Sequence, residues 1–220
     1  DTLKNKDSNL LVCLPKIFND DDLKIFNTKA YFFWNKYVIK NRFLIYKLID
    51  RNKIYGNSLF TRNYIDIKNK NGIDQYFQFI KRIWDNKDVI IVEGRYTRFG
   101  VNNDLLSNAS SVKRILCPEK NAFDKYEIIY NCILNQNKKA LYLLALGPTA
   151  TVLAADLSKE GFWAIDIGHL DIEYEWFLMH AAWKTKVNNK YVNETNDIIT
   201  EKNDDFFDEA YEKQIICKIF

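Results

Sequence analysis

Three uninterrupted apolar runs, each ending at a glycine, alternate with stretches of helical period in the middle of this 220-residue chain. They are Val89-Ile-Ile-Val-Glu-Gly94, Ala140-Leu-Tyr-Leu-Leu-Ala-Leu-Gly147 and Phe162-Trp-Ala-Ile-Asp-Ile-Gly168. A shorter run, Arg114-Ile-Leu-Cys-Pro118, stops at a proline. Between them lie Asn121–Asn135, with Phe123, Tyr126, Ile129 and Ile133 at helical spacing, and Thr149–Lys159. Strands that are apolar without alternation are buried on both faces. Strands alternating with helices of this length build βαβ units. The pattern predicts an α/β fold with a mostly parallel sheet flanked by helices.

Residues 86–180 carry this core. Residues 1–85 read as a mixed helical and strand part: Leu10–Leu14 as a strand stopped by Pro15, then helices over Asn27–Asp50 (Phe32, Phe33, Tyr37, Phe43, Tyr46) and Gly72–Trp84 (Ile73, Phe77, Ile80, Trp84). Trp34, Trp84 and Trp163 read as packing residues. Residues 181–220 turn polar. An acidic stretch (Asp204, Asp205, Asp208, Glu209) and the apolar end Ile215–Phe220 suggest a peripheral loop and a last helix packed on the core. At this length the whole chain, 1–220, reads as one domain. The start at Asp1, without an initiator methionine, suggests a piece of a longer chain.

Composition narrows the class. Fifteen Phe, 13 Tyr and 5 Trp exclude intrinsic disorder, and 7 Gly with 3 Pro exclude collagen-like chains. With 32 Lys+Arg against 29 Asp+Glu, the net charge of +3 makes no case for nucleic acid. Cys13, Cys117, Cys132 and Cys217 form no CxxC pair, so they read as reduced thiols in a cytoplasmic protein. No run is long enough to span a bilayer. The glycosylation sequons at Asn108 and Asn193 carry no meaning in that compartment.

In an open parallel sheet, ligands bind beyond the carboxyl ends of the strands. Those ends are Glu93-Gly94, Pro118 with Asn121, Gly147-Pro148-Thr149, and Asp166 to Glu173. The start of the helix at Pro148 offers unpaired N–H groups and the hydroxyls of Thr149 and Thr151. It is either a phosphate site or an ordinary capped helix. In the segment after Glu93, Gly94 and Gly100 allow close backbone approach. Arg95 and Arg98 could clamp a diphosphate. Asn103 and Asp104 could hold sugar hydroxyls. The densest polar cluster is Asp166-Ile-Gly-His-Leu-Asp-Ile-Glu-Tyr-Glu-Trp176. On an extended segment Asp171 and Glu173 would point the same way and suit Mg²⁺. At a helix start they would instead favour the helix dipole. His169 could be a base, a ligand or a phosphate partner, or simply a satisfied polar residue.

Val92-Glu-Gly-Arg-Tyr-Thr-Arg-Phe-Gly-Val-Asn-Asn-Asp-Leu-Leu106, Ser111–Tyr126, Leu146-Gly-Pro-Thr-Ala-Thr-Val-Leu-Ala154 and Ile165-Asp-Ile-Gly-His-Leu-Asp-Ile-Glu-Tyr-Glu-Trp176 resemble, in the same order, the motifs of the GT-D glycosyltransferases. The stretch Tyr55–Asp66 is similar more weakly. Members often carry glycine where this chain has Asn102. The resemblance implies a Rossmann-like fold and a metal-binding DxE motif at Asp171 and Glu173, holding Mn²⁺ or Mg²⁺. It also implies transfer of a hexose, glucose favoured, from a UDP-sugar to a glycan or glycoprotein acceptor at the bacterial surface. Asp166 or Asp104 would then be the base. Another Rossmann-like transferase, such as a methyltransferase, and a non-catalytic nucleotide-sugar-binding module are the alternatives.

Overall fold

A computed structural model of the chain describes residues 2–4, 9–192, 195 and 208–220. Asp204, Asp205 and the sequon asparagine Asn193 lie outside the described residues.

The elements run β1 (Cys13–Leu14), α1 (Asp20–Leu23), α2 (Thr28–Leu48), β2 (Gly56–Asn57), α3 (Ile73–Lys81), β3 (Asp88–Gly94), β4 (Ser111–Cys117), α4 (Tyr126–Leu134), β5 (Leu141–Ala145), α5 (Pro148–Lys159), β6 (Trp163–Asp166), α6 (Leu170–Leu178), α7 (Glu209–Gln214) and β7 (Ile215–Lys218). Strands β3 to β7 form one sheet in the order β6-β5-β3-β4-β7. Every pairing in it is parallel. The predicted architecture is therefore present.

Alternation along β3 explains its unbroken apolar run. Val89 and Ile91 face a core with Leu141, Leu143, Phe77 and Ile80 of α3, and Leu170 and Trp176 of α6. Ile90 and Val92 face a second core with Tyr142, Leu144, Ile129 and Ile133 of α4, and Leu153 and Leu157 of α5. Each neighbour along the strand thus finds an apolar layer, whichever way it points. A separate small cluster (Ile17, Leu23, Phe26, Ala30, Leu59) ties α1 and the first turn of α2 together.

Three expectations are corrected. The run at Ile215 is not helical: it is β7, hydrogen-bonded beside β4, and only the six residues before it form a helix. A short β-branched run with a sheet edge waiting for it goes to the sheet, because the exposed backbone groups of β4 need partners. Trp163 is not a core residue. It lies on edge strand β6, 51% exposed, with Lys87 over its ring. Trp84 is fully buried as expected, its indole N–H donating to the carbonyl of Leu105. The N-terminal strand is shorter than predicted, being the pair Cys13–Leu14 joined to β2 in parallel.

Candidate active site

All five strands of the main sheet point the same way, so their carboxyl ends share one rim. The chain leaves β3 toward β4 on one side, and enters β5 and then β6 on the other. The topological switch point therefore lies between the ends of β3 and β5. Glu93 and Ala145 are paired across it, so Gly94-Arg95 and Leu146-Gly147 emerge side by side, about 5 Å apart.

Gly147 is exposed, with φ +54° and ψ −140°, and a Cβ there would meet nothing. It leads into Pro148 at the first position of α5, leaving the helix N-terminus uncovered. Thr149 is buried, so its side chain is a packing group; Thr151 is the exposed hydroxyl of that turn. Thr151 Oγ1 donates to Asp166 Oδ2 at 2.6 Å, and the N–H of Gly168 donates to Asp166 Oδ1 at 3.2 Å. Half-burial pushes the Asp166 carboxyl above its ordinary value, against those two hydrogen bonds. The charge of Asp166, after burial itself, also helps raise the Cys13 thiol, which places β1 beside the end of β6. Gly168 packs against Thr61: a Cβ on it would come within 3.1 Å of the threonine hydroxyl. His169, half-buried, follows directly and precedes α6. Pro118 and the exposed Asn121, at φ +51°, close the β4 corner of the rim.

The segment after β3 behaves differently from the sequence expectation. Glu93 is fully buried and turned to the protein's own groups. Its Oε1 accepts from Arg114 Nη1 at 2.6 Å and its Oε2 from the N–H of Phe99 at 2.7 Å. Arg98 is buried too, donating to the carbonyl of Asn189. It cannot clamp a diphosphate as expected, because its guanidinium is already folded inward. Arg95 alone of the two stays exposed, lying over the rings of Tyr96 and Phe220. Asn103 serves the protein itself: its Nδ2 donates to Asp171 at 2.9 Å and to Glu175 at 2.6 Å. Asp104 is exposed on one side, accepting from Lys81 at 2.8 Å and from the Tyr174 hydroxyl at 2.5 Å. Those two bonds hold its carboxyl below the usual range.

Asp171 and Glu173 do not converge. They sit in the first turn of α6, not on an extended segment, and two residues of helix turn a side chain through about 200°. Asp171 points to the loop after β3, accepting from the N–H of Gly100 at 2.9 Å, from Asn103, and from Lys190 Nζ at 2.7 Å. The same ammonium lies 2.7 Å from Glu175. Glu173 points the other way: its Oε2 accepts from the backbone N–H groups of Tyr64 and Ile65 at 2.8 and 2.9 Å. The pair does not fit a Mn²⁺ or Mg²⁺ site. The place a cation would take beside Asp171 is filled by a buried ammonium, and Glu173 is fully enclosed. Among the described residues, no group of three or more His, Cys, Asp or Glu is arranged to hold a metal. Instead, Asp171 and Glu173 fasten α6 to the two loops that border it.

Lys190 escaped the sequence reading. It sits in a Lys/Asn-rich stretch with no spacing signal, and only the fold brings it back to Asp171. A cavity of about 380 Å³ is lined by Lys24, Asn63, Asn69, Gly72, Ile73 and Tyr76 among others, none of them acidic.

Residues 1–195 match the family model described as the glycosyltransferase GT-D fold. The chain is 40% identical over 211 residues to a probable glycosyl transferase Gly of Streptococcus gordonii, covering 96% of this chain and 30% of that protein. It is 37% identical over 211 residues to glycosyltransferase GlyD of Streptococcus pneumoniae, covering 96% of this chain and 25% of that protein. The chain thus spans less than a third of the length of either relative. Among solved structures, one described as a domain of unknown function 1792 with a distinct glycosyltransferase fold superposes with a TM-score of 0.90 at 40% identity, over 100% of this chain and 77% of that one. Another, described as a new glycosyltransferase from Streptococcus sanguinis, gives 0.89 at 37% identity, over 100% of this chain and 80% of that one. The chain therefore belongs to the GT-D glycosyltransferase-fold family.

Proposed function

We propose that the chain is a glycosyltransferase that takes a hexose, glucose favoured, from a UDP-sugar and passes it to a hydroxyl of a glycan or glycoprotein. Family membership supports the reaction class. The observation that carries the site is Asp166: a half-buried carboxylate on the rim, steadied by Thr151 and Gly168, with its affinity for a proton raised by burial. A base must hold a proton well enough to pull it from a hydroxyl, and a raised carboxyl does so better than a solvated one. The diphosphate would lie at the switch point. There the uncovered N-terminus of α5 presents backbone N–H groups behind Gly147, whereas the Arg95 guanidinium is turned toward Phe220 on the β7 side. His169, three residues after Asp166 on the same rim segment, would orient the acceptor. No step is assigned to Asp171 or Glu173, whose work is structural.

The test is turnover of UDP-glucose, read as UDP release. Asp166→Asn should lower kcat by about 10²-fold or more while UDP still binds and the melting curve is unchanged. Near-normal turnover in that variant would remove Asp166 from the mechanism. UDP binding with no UDP release by the unaltered chain, when acceptor is supplied, would favour a binding module.

A further inference from the structure

Helix α2 is the feature that this function leaves unused. It packs by one narrow stripe, with Ala30, Tyr31, Trp34 and Val38 against the small cluster around Ile17, Leu23 and Phe26. The opposite face has no cover. Phe32, Ile39 and Phe43, at i, i+7 and i+11, share that face and are 65%, 66% and 74% exposed. Phe33 and Leu44 are exposed about 100° further round the helix. Lys29, Lys36, Lys40 and Lys47 run in a parallel row at the same spacing, and Arg42 stacks on the Phe43 ring at 5.2 Å. No Asp or Glu occurs anywhere in Thr28–Leu48.

We infer that α2 is an interfacial helix that lies flat on an anionic lipid surface. Phe32, Ile39 and Phe43 would enter the boundary between headgroups and acyl chains, while the lysine row meets the lipid phosphates. Exposed aromatic and aliphatic side chains flanked by cations, on a long helix, are what such a surface selects. Lysine stems reach outward along the apolar face while their charges stay in water. No helix among the described residues is long and apolar enough to cross a membrane, so α2 rests on the surface. The charge argues against a second copy as occupant: a two-fold contact through α2 would set five cations against five. The nearest acidic run, Asp20–Asp22 on α1, has its own local partners, with Asp21 on Lys24 and Asp22 near Lys16.

The test is sedimentation with vesicles. The chain should bind equimolar phosphatidylglycerol–phosphatidylcholine vesicles, bind pure phosphatidylcholine vesicles far less, and dissociate as salt rises. Lys36→Glu with Lys40→Glu should lower partitioning by at least about tenfold, and Phe32→Ser with Phe43→Ser should reduce it to background. All four positions are exposed, and unchanged melting curves will confirm that the variants fold. Independently, Phe43→Trp should gain emission that brominated acyl chains quench. Three outcomes would overturn the proposal: no binding to the anionic vesicles at low salt, equal binding to neutral ones, or self-association through α2 that the same substitutions abolish. None of them bears on the transferase reading.

Discussion

Lys190 is the residue on which the buried polar cluster turns. Its ammonium lies 2.7 Å from both Asp171 and Glu175 and is itself 1% exposed. Two carboxylates this close repel each other unless a cation stands between them, and removing one partner of a buried pair strands the others. Lys190→Met should therefore cost about 3–5 kcal/mol in urea unfolding, and adding Asp171→Asn should recover part of it. A loss below about 1 kcal/mol would mean that water reaches the cluster. Glu173, on the far side of the helix, predicts the opposite kind of behaviour. Burial raises its carboxyl, despite the N–H groups of Ile65 and Tyr64 and the charge of Arg62. A folded pKa above the unfolded one favours the protonated form in the native state. Stability from this group is then present at low pH and is lost as pH climbs from the ordinary glutamate range through the raised value. Glu173→Gln should flatten that decline in unfolding midpoints measured upward from about pH 4. An unchanged slope would assign the pH dependence to another group. Asp104, with its lowered carboxyl, carries the reverse sign and loses its contribution in acid.

At the level of elements, α6 and the loop after β3 explain why the strands were legible and the site was less so. Apolar runs that end in glycine are local, so β3, β5 and β6 could be read from their own residues. The DxE motif could not: extended and helical backbones send Asp171 and Glu173 in different directions, and the choice was made by Leu170, Ile172 and Trp176 burying against the sheet. Likewise Glu93 and Asn103 looked like ligand-binding residues because their partners, Arg114 and Glu175, lie far along the chain. The loop itself makes a testable contrast. Gly100 has φ +72°, donates its N–H to Asp171, and would place a Cβ 2.5 Å from the Leu106 side chain. Asn102 has φ +62° and is exposed. Asparagine tolerates this region, and glycine enters it freely. Gly100→Ala should cost about 2 kcal/mol or more, while Asn102→Gly should change stability by less than about 1 kcal/mol. Equal losses would show that the Asn102 side chain has a contact of its own.

For the molecule as a whole, the decisive event is how the sheet ends. The alternating pattern foretells parallel pairing among β3 to β6, though not their order β6-β5-β3-β4, and β7 reaches the β4 edge from about 100 residues away, as the contact between Arg114 and Gln214 records. No local periodicity announces such a return. Its physical cause is that β4 would otherwise be a long apolar edge, open to pairing with other chains. Closure does more than cover backbone groups. Arg114, already bound to Glu93, donates its Nε–H to Gln214 at 2.7 Å and lies 4.8 Å from the Tyr211 ring. Helix α7 thus completes the wrapping of a buried ion pair that anchors the start of the loop after β3. Deleting residues 209–220 should then do two things at once: bare the β4 edge and let water in to Arg114 and Glu93. The expected outcome is a large fall in melting temperature, with oligomers that grow with concentration in size-exclusion chromatography. If the shortened chain stays monomeric and melts within a few degrees of the full one, β7 is an ornament on the sheet and the four central strands are stable without it.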